Sequence, residues 1–208
     1  KFAGVDPETG QETFWKDVVD GEGKVTGREK TFNINEATQY EIGDALPDVT
    51  GGFRTSFRWK NFDFMLAAAY QIGGRQWDGN SANVYSPGRA GFTASQDLVG
   101  NTWTPEHTNA KFPKLMFNGT WNFVGSNCDY LYRDASYFSL KTINVGYTLP
   151  KRWTSKICIE SLRVFFAADN LYFTSAHTGF DPRTAYAGQN AFGFPQAKTF
   201  TFGITMNL

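Results

Sequence analysis

The residue types that most often carry metal or nucleophilic chemistry are scarce in this chain: His107 and His177, Cys128 and Cys158. They form no CxxC pair and no His/Cys cluster, so no zinc site is expected. Two histidines in turn-rich stretches define no Ser–His–Asp arrangement, and the scattered acids do not make the carboxylate pair of a glycoside hydrolase. Asp6, Glu8, Asp20 and Glu22 are acidic enough to invite calcium but lack EF-hand spacing. Catalysis, a cofactor and a bound metal are therefore not expected. Two other sets of residues stand out. Arg54, Arg58, Asp63 and Asp169 lie in alternating stretches, where charges line a wet face and can tune the passage of a polar solute. Trp77, Tyr85 and Trp103 lie among polar neighbours in a long turn-rich stretch. Such rings either stack on a sugar or peptide or pack their own loop together.

The elements that position these residues are read from periodicity. Lys198–Leu208 (KTFTFGITMNL) places Phe200, Phe202, Ile204, Met206 and Leu208 on one parity, with Thr, Gly and Asn on the other. Period two over such a length is a strand, and about 9–11 residues is what a tilted bilayer crossing needs. Residues 51–72 read as a hairpin turning at Lys60-Asn61. Phe53, Phe57, Trp59, Phe62, Phe64 and Leu66 share one face, and Arg54, Arg58, Asp63 and Gln71 share the other. A further strand is expected over 135–149, with Ile143, Val145, Tyr147 and Leu149 on its apolar side and Pro150 ending it. Residues 150–161 read as a basic turn or short helix carrying Trp153, followed by a strand over 160–172 that contains Asp169. Residues 1–50 are polar, with one solvated hairpin expected between 13–19 and 27–34. Residues 73–134 and 173–197 read as long loops; Phe92 falls in the first and Phe192-Gly193-Phe194-Pro195 in the second.

Composition agrees with strands that see lipid on one side only. Aromatic content is 17% with 21 Gly, formal net charge is zero, and mean hydropathy is −0.40. Transmembrane barrels look like this, because only alternate residues face lipid and aromatic girdles mark both interfaces. No stretch reaches the roughly 18 apolar residues of a membrane helix. Nothing in the charge balance implies a nucleic-acid partner. Laid out with alternating direction, the strands have short links after 59 and 149 and long links after 72 and 172. That is the asymmetry of outer-membrane barrels, short toward the periplasm and long outside, and it puts the C-terminus in the periplasm. Cys128 then falls on the outer side and Cys158 on the inner. About 30 Å of bilayer separates them, where a disulfide allows about 7 Å, so both are expected as free thiols. The rival from another class is a soluble carbohydrate-binding β-sandwich, which would fold alone in water.

Three runs also carry a family resemblance: ASYFSLKTINVGYTLPKRW (135–153), IESLRVFFAADNLYFTSAHTGFDPR (159–183) and FPQAKTFTFGITMNL (194–208). With AGVDPETG, IGDALPDVTGGFRTSFRWKNFDF and IGGRQWDG upstream, they resemble the C-terminal end of SusC/RagA-type TonB-dependent outer-membrane transporters along essentially the whole chain. The resemblance implies the last strands of a 22-stranded barrel. It also implies import of oligosaccharides or peptides, a SusD-like surface lipoprotein as lid, and TonB as energy source through parts of the protein not in this sequence. It makes Arg54, Arg58, Asp63 and Asp169 lumen-lining, against solute or plug, and Trp77, Tyr85 and Trp103 contacts for ligand or lid. Lys1–Gly10 opens as if mid-domain, without a signal peptide, so a longer precursor is expected. The chain departs from the pattern at Leu208, where barrel proteins commonly finish with an aromatic residue.

Overall fold

The computed structural model describes residues 1–85, 93–116, 119–184, 189–190 and 194–207. Phe92, Phe192, Gly193 and Leu208, which the sequence reading uses, lie outside them. The strands are β1 (Phe2–Val5), β2 (Glu12–Val19), β3 (Val25–Thr31), β4 (Val49–Trp59), β5 (Phe62–Ile72), β6 (Arg75–Asp78), β7 (Tyr132–Asp134), β8 (Tyr137–Thr148), β9 (Ser161–Ser175), β10 (Gln189–Asn190) and β11 (Thr199–Asn207). Two short helices, α1 (Gly79–Val84) and α2 (Lys151–Thr154), join 3-10 turns as the helical content among the described residues. The chain divides into two compact units. One holds Lys1–Asp44 and Arg75–Arg133, the other Ala45–Gly74, Asp134–Thr184 and the C-terminal strand.

The second unit is an antiparallel sheet of five strands in the order β11-β9-β8-β5-β4. Each strand pairs with its predecessor in the unit, so the sheet is an up-and-down meander. Side-chain alternation produces its two faces. Val49, Phe53, Phe57 and Trp59 of β4 stand beside Phe62, Phe64, Leu66, Tyr70 and Ile72 of β5. They continue through Val145, Val164 and Phe166 to Phe200, Phe202, Ile204 and Met206 of β11. Among the described residues that the register pairs, no charged side chain falls on this face, yet it is open: Phe202 is 80% exposed and Ile204 71%. From Ile72 to Phe62 the strand rises about 33 Å, or about 25 Å of height at a tilt near 40°, the size of an outer-membrane apolar band. Aromatic residues collect at its two ends, with Tyr70, Phe138 and Tyr172 near one and Trp59, Phe62 and Tyr147 near the other.

Strict alternation would have put Lys141 on the apolar face beside Ile143. Instead the register slips at Lys141, so that Ala67 pairs with Thr142 and Ala68 with Leu140. The extra residue reverses the phase of β8 and delivers Leu140 and Phe138 to the apolar face and Ser139 to the other. Across the sheet, two residues of β9, Asn170 and Leu171, stand opposite this point, with Asn170 left-handed at φ 52°. Asn tolerates that conformation because its short polar side chain bonds locally. The strand also runs on to Ser175, past the expected 172. Leu149, expected on the apolar face, lies beyond the end of β8, its N–H bonded to the Leu162 carbonyl at 2.8 Å.

The first unit corrects the expectation of a purely solvated hairpin. β2 and β3 do pair, across a turn in which the Asp20 carboxylate accepts the N–H groups of Glu22 and Lys24 at 3.0 and 2.9 Å. A third strand, β1, pairs on the other side of β2, and Phe14 is fully buried. Phe14, Phe112, Trp121, Phe123 and Leu131 make a core that draws in Phe2, Tyr85 and Tyr130. Phe2 stacks on Phe123 at 4.6 Å and Tyr130 meets Phe123 edge-on at 4.8 Å. Poor alternation in β2 hid this burial, because the rings that cover Phe14 come from loops roughly a hundred residues downstream. The Glu12 carboxylate fastens that junction, accepting the N–H groups of Asn122 and Phe123, both at 2.9 Å. Phe123→Ala is expected to destabilise this unit by about 3–5 kcal/mol, seen as lost hydrogen-exchange protection over Glu12–Val19.

Candidate functional site

Register places the charged candidates on the face opposite the apolar one, in two cross-sheet rows. Arg58, Asp63, Gly146, Phe165 and Gly203 form the row nearer the short links. Arg54, Ala67, Thr142, Asp169 and Thr199 form the other. Arg54 and Asp169 thus share a row with two small residues between them. Asp169 accepts the Thr142 hydroxyl at 2.8 Å. Arg58 faces Asp63 directly across the hairpin.

The tightest contact in these rows involves a residue outside the predicted set. Arg163 of β9 reaches across β8 to Asp63 of β5, with Nε to Oδ1 at 2.9 Å and Nη2 to Oδ2 at 2.5 Å, and Nη2 also reaches Asn144 at 3.2 Å. The fork geometry is the bidentate one that guanidinium and carboxylate favour. Gly146 permits it. A Cβ on Gly146 would stand 2.3 Å from the Arg163 Nη2 and 2.5 Å from the Asp63 Oδ1. In the same row, a Cβ on Gly203 would meet the Phe165 ring at 2.3 Å, so that ring lies flat over the β11 backbone. Arg163 in turn sits 5.1 Å from the Phe165 ring centre. A second clamp sits at the opposite end of the same face. Arg183 makes a bidentate pair with Asp181 at 2.8 and 2.6 Å, donates to the Ser139 hydroxyl at 3.1 Å and stacks 3.9 Å from the Phe173 ring. Residues 180–183 had been read only as open loop; Phe180 and Pro182 are buried. Even spacing from Asp169 already put Arg163 on the inner face, but its partner two strands away required the register.

The three loop aromatics all pack within the first unit. Trp77 lies against its core, with a buried Nε1 that has no partner among the described residues. The Tyr85 ring meets Phe112 at 5.3 Å and its hydroxyl donates to Asp97 at 2.8 Å. Burial, followed by that bond to a carboxylate, pushes the phenol up to about 12. Trp103 covers Gly10 and donates its indole N–H to the Pro7 carbonyl at 3.0 Å. A polar cleft of about 390 Å³, which the sequence did not point to, opens between 34–42 and 126–132. Asn35, Gln39, Asn127, Tyr40 and Tyr132 line it, amides and hydroxyls able to hydrogen-bond a sugar or a peptide backbone. The Tyr40 hydroxyl bonds Asp17, which raises its pKa.

Antiparallel strands with one uncharged open face and one charged face define a segment of a transmembrane β-barrel wall. The comparisons agree. The chain is 32% identical over 184 residues to TonB-dependent receptor P3 of Formosa agariphila, covering 83% of this chain and 18% of that protein. It is 25% identical over 177 residues to TonB-dependent receptor SusC of Bacteroides thetaiotaomicron, covering 83% of this chain and 16% of that one. No family model matches. Among solved structures, one of the RagAB peptide transporter superposes with TM-score 0.81 at 24% identity, over 99% of this chain and 22% of that one. The RagAB peptide importer in its open-open state gives 0.78 at 22% identity, over all of this chain and 22% of that one. The chain is a portion of a TonB-dependent receptor of the SusC/RagA type. It spans about a sixth of the length of the curated relatives it matches.

Both cysteines are free, Cys128 buried and Cys158 exposed. Burial, the largest cause, pushes the Cys128 thiol up to about 11. Alkylation at pH 8 should therefore mark Cys158 and spare Cys128, whose rate should climb about tenfold per pH unit toward 11 as thiolate forms; peptide mapping after timed iodoacetamide treatment reads this. Gly146→Val should break the Arg163–Asp63 fork and cost about 1–3 kcal/mol of overpacking, measured as an earlier urea midpoint for the folded barrel.

Proposed function

We propose that this chain is the C-terminal part of the barrel wall of an outer-membrane nutrient importer. In that reading β4, β5, β8, β9 and β11 cross the membrane, short links and C-terminus face the periplasm, and residues 1–50, 73–134 and 173–197 form the extracellular side. The observation that carries it is the uncharged, open face of the five-stranded sheet, from Val49 to Met206, opposite the face that holds the charges. The whole protein takes up oligosaccharides or peptides with a SusD-like surface lipoprotein, powered by TonB; the family resemblance implies both solute classes, and similarity to a peptide transporter supports the second. Arg54, Arg58, Asp63 and Asp169 line the lumen. The polar cleft, with its amides and hydroxyls, is where a loop would meet such a solute or the lipoprotein, and Trp77, Tyr85 and Trp103 hold the surrounding loops in place. The chain acts as passage and support, not as a catalyst.

The soluble sandwich reading requires a second layer over the apolar face, and Phe57, Phe202 and Ile204 are uncovered. The test uses the full-length receptor. Phe202→Arg on the apolar face should lower the folded, outer-membrane population, since an arginine at the midplane costs about 2–4 kcal/mol. Thr201→Arg, one residue away on the inner face, should leave it intact. Equal assembly of both variants, or a receptor recovered in the soluble fraction without detergent, would sink the barrel reading. Growth on peptides or on oligosaccharides as sole nutrient, with and without the receptor, assigns the solute class.

A further inference from the structure

The short-link end of the sheet carries an excess of positive charge. Residues 58–63 and 148–163 hold six cations, Arg58, Lys60, Lys151, Arg152, Lys156 and Arg163, against two carboxylates, Asp63 and Glu160. Asp63 has both oxygens occupied by Arg163. The two links are held side by side, the Thr148 N–H bonding to the Asn61 carbonyl at 2.8 Å. Between them opens a cavity of about 370 Å³, lined by Arg58, Lys60, Asn61 and Lys151 with Leu149 and Pro150; its one carboxylate, Asp63, is neutralised by the Arg163 fork. That is a concave, cation-rich site with apolar edges.

Its surroundings identify the anion. The Lys60 ammonium lies 4.9 Å from the Trp59 ring centre and the Arg152 guanidinium 5.5 Å from that of Trp153. Both tryptophans are more than half exposed. Trp59 closes the apolar face at this end, next to Phe62 and Tyr147. Tryptophan settles where acyl chains give way to headgroups, and cations one step beyond it stand at the depth of lipid phosphates. Lys60 is held there by an unusual backbone, left-handed at φ 53°.

We propose that this end of the sheet binds the phosphate of an anionic phospholipid from the adjoining leaflet, with Lys60 and Lys151 on the phosphate and Trp59 and Trp153 against the upper acyl chain. The proposal rests on the barrel reading, because only a membrane-spanning sheet brings this end to a headgroup layer. The test is native mass spectrometry of the detergent-solubilised full-length receptor titrated with phosphatidylglycerol, with phosphatidylcholine and with inorganic phosphate. Wild type should retain phosphatidylglycerol in preference to phosphatidylcholine. The double variant Lys60→Gln/Lys151→Gln should weaken that retention roughly thirtyfold, and millimolar phosphate should not displace the lipid. Unchanged retention by the double variant, or no preference over phosphatidylcholine, overturns the proposal; displacement by phosphate overturns the lipid in favour of a free anion. Lys60→Arg/Lys151→Arg should restore retention, which separates loss of charge from loss of fold. Failure of the barrel reading shows itself separately, as every variant and the wild type leaving the membrane fraction.

Discussion

A sheet that meets lipid on one side has no freedom about where its charges go. Backbone groups in hydrocarbon must be bonded within the sheet, and a charged side chain on the lipid face costs kilocalories at the midplane. Alternation then sends every charge on these strands to the inner face, where charges crowd each other across strands about 4.8 Å apart. The Arg163–Asp63 fork answers that crowding. It neutralises two charges in one contact and does so across an intervening strand, which is possible only because Gly146 leaves the path open. Much of the inner-face sequence near the short links follows from making room for this pair.

The same contact ties register together. A one-residue slip between β5 and β8 would carry Asp63 to the lipid side and bring an apolar residue inward. Arg163 spans β9 to β5 and so constrains β8 from both neighbours, while Phe165, lying over Gly203, extends the constraint to β11. The slip that does occur, at Lys141, happens where alternation alone would have failed. It restores the uncharged face beyond that point and turns Ser139 inward to meet Arg183. Bulge and clamp are parts of one arrangement at that end of the sheet.

The strands legible in the sequence were those whose alternation is local, 51–72, 135–149, 160–172 and 198–208, and the runs resembling SusC/RagA transporters extended along essentially the whole chain. Their inner-face charges, Arg54, Arg58, Asp63 and Asp169, were legible for the same reason. The bulge was not, because Lys141 breaks the pattern by one residue and a single break reads as noise. The Arg163 partnership depends on which strands are neighbours and in what register, information that no window of ten residues holds. The first unit was least legible. Its core joins Phe2 and Phe14 to Phe112, Trp121 and Phe123, so each segment alone looks like polar loop with stray aromatics. Of the two readings open for Trp77, Tyr85 and Trp103, contact with a ligand or packing of their own loop, the structure shows the packing, since a large ring in a long loop gains most by burying itself.

How the charges are distributed bears on what the wall can do to a passing solute. Asp63 is held by Arg163, Asp169 by the Thr142 hydroxyl, and Asp181 by Arg183. Asp63 and Asp181 therefore have both oxygens directed at protein donors, and Asp169 has one. Arg54 and Arg58 remain on β4, four residues apart on the same parity and so about 13 Å from each other. Arg58 faces a carboxylate already engaged, and Arg54 faces Ala67. The charge left over is positive and lies on one strand, while the rest of this face mixes polar groups such as Thr142, Asn144 and Gln71 with Met65, Ala67, Phe165 and Ala167. Among the described residues, the amides lining the cleft of the first unit are polar, concave and uncommitted to an internal partner, and the segments that carry them flank an aromatic core.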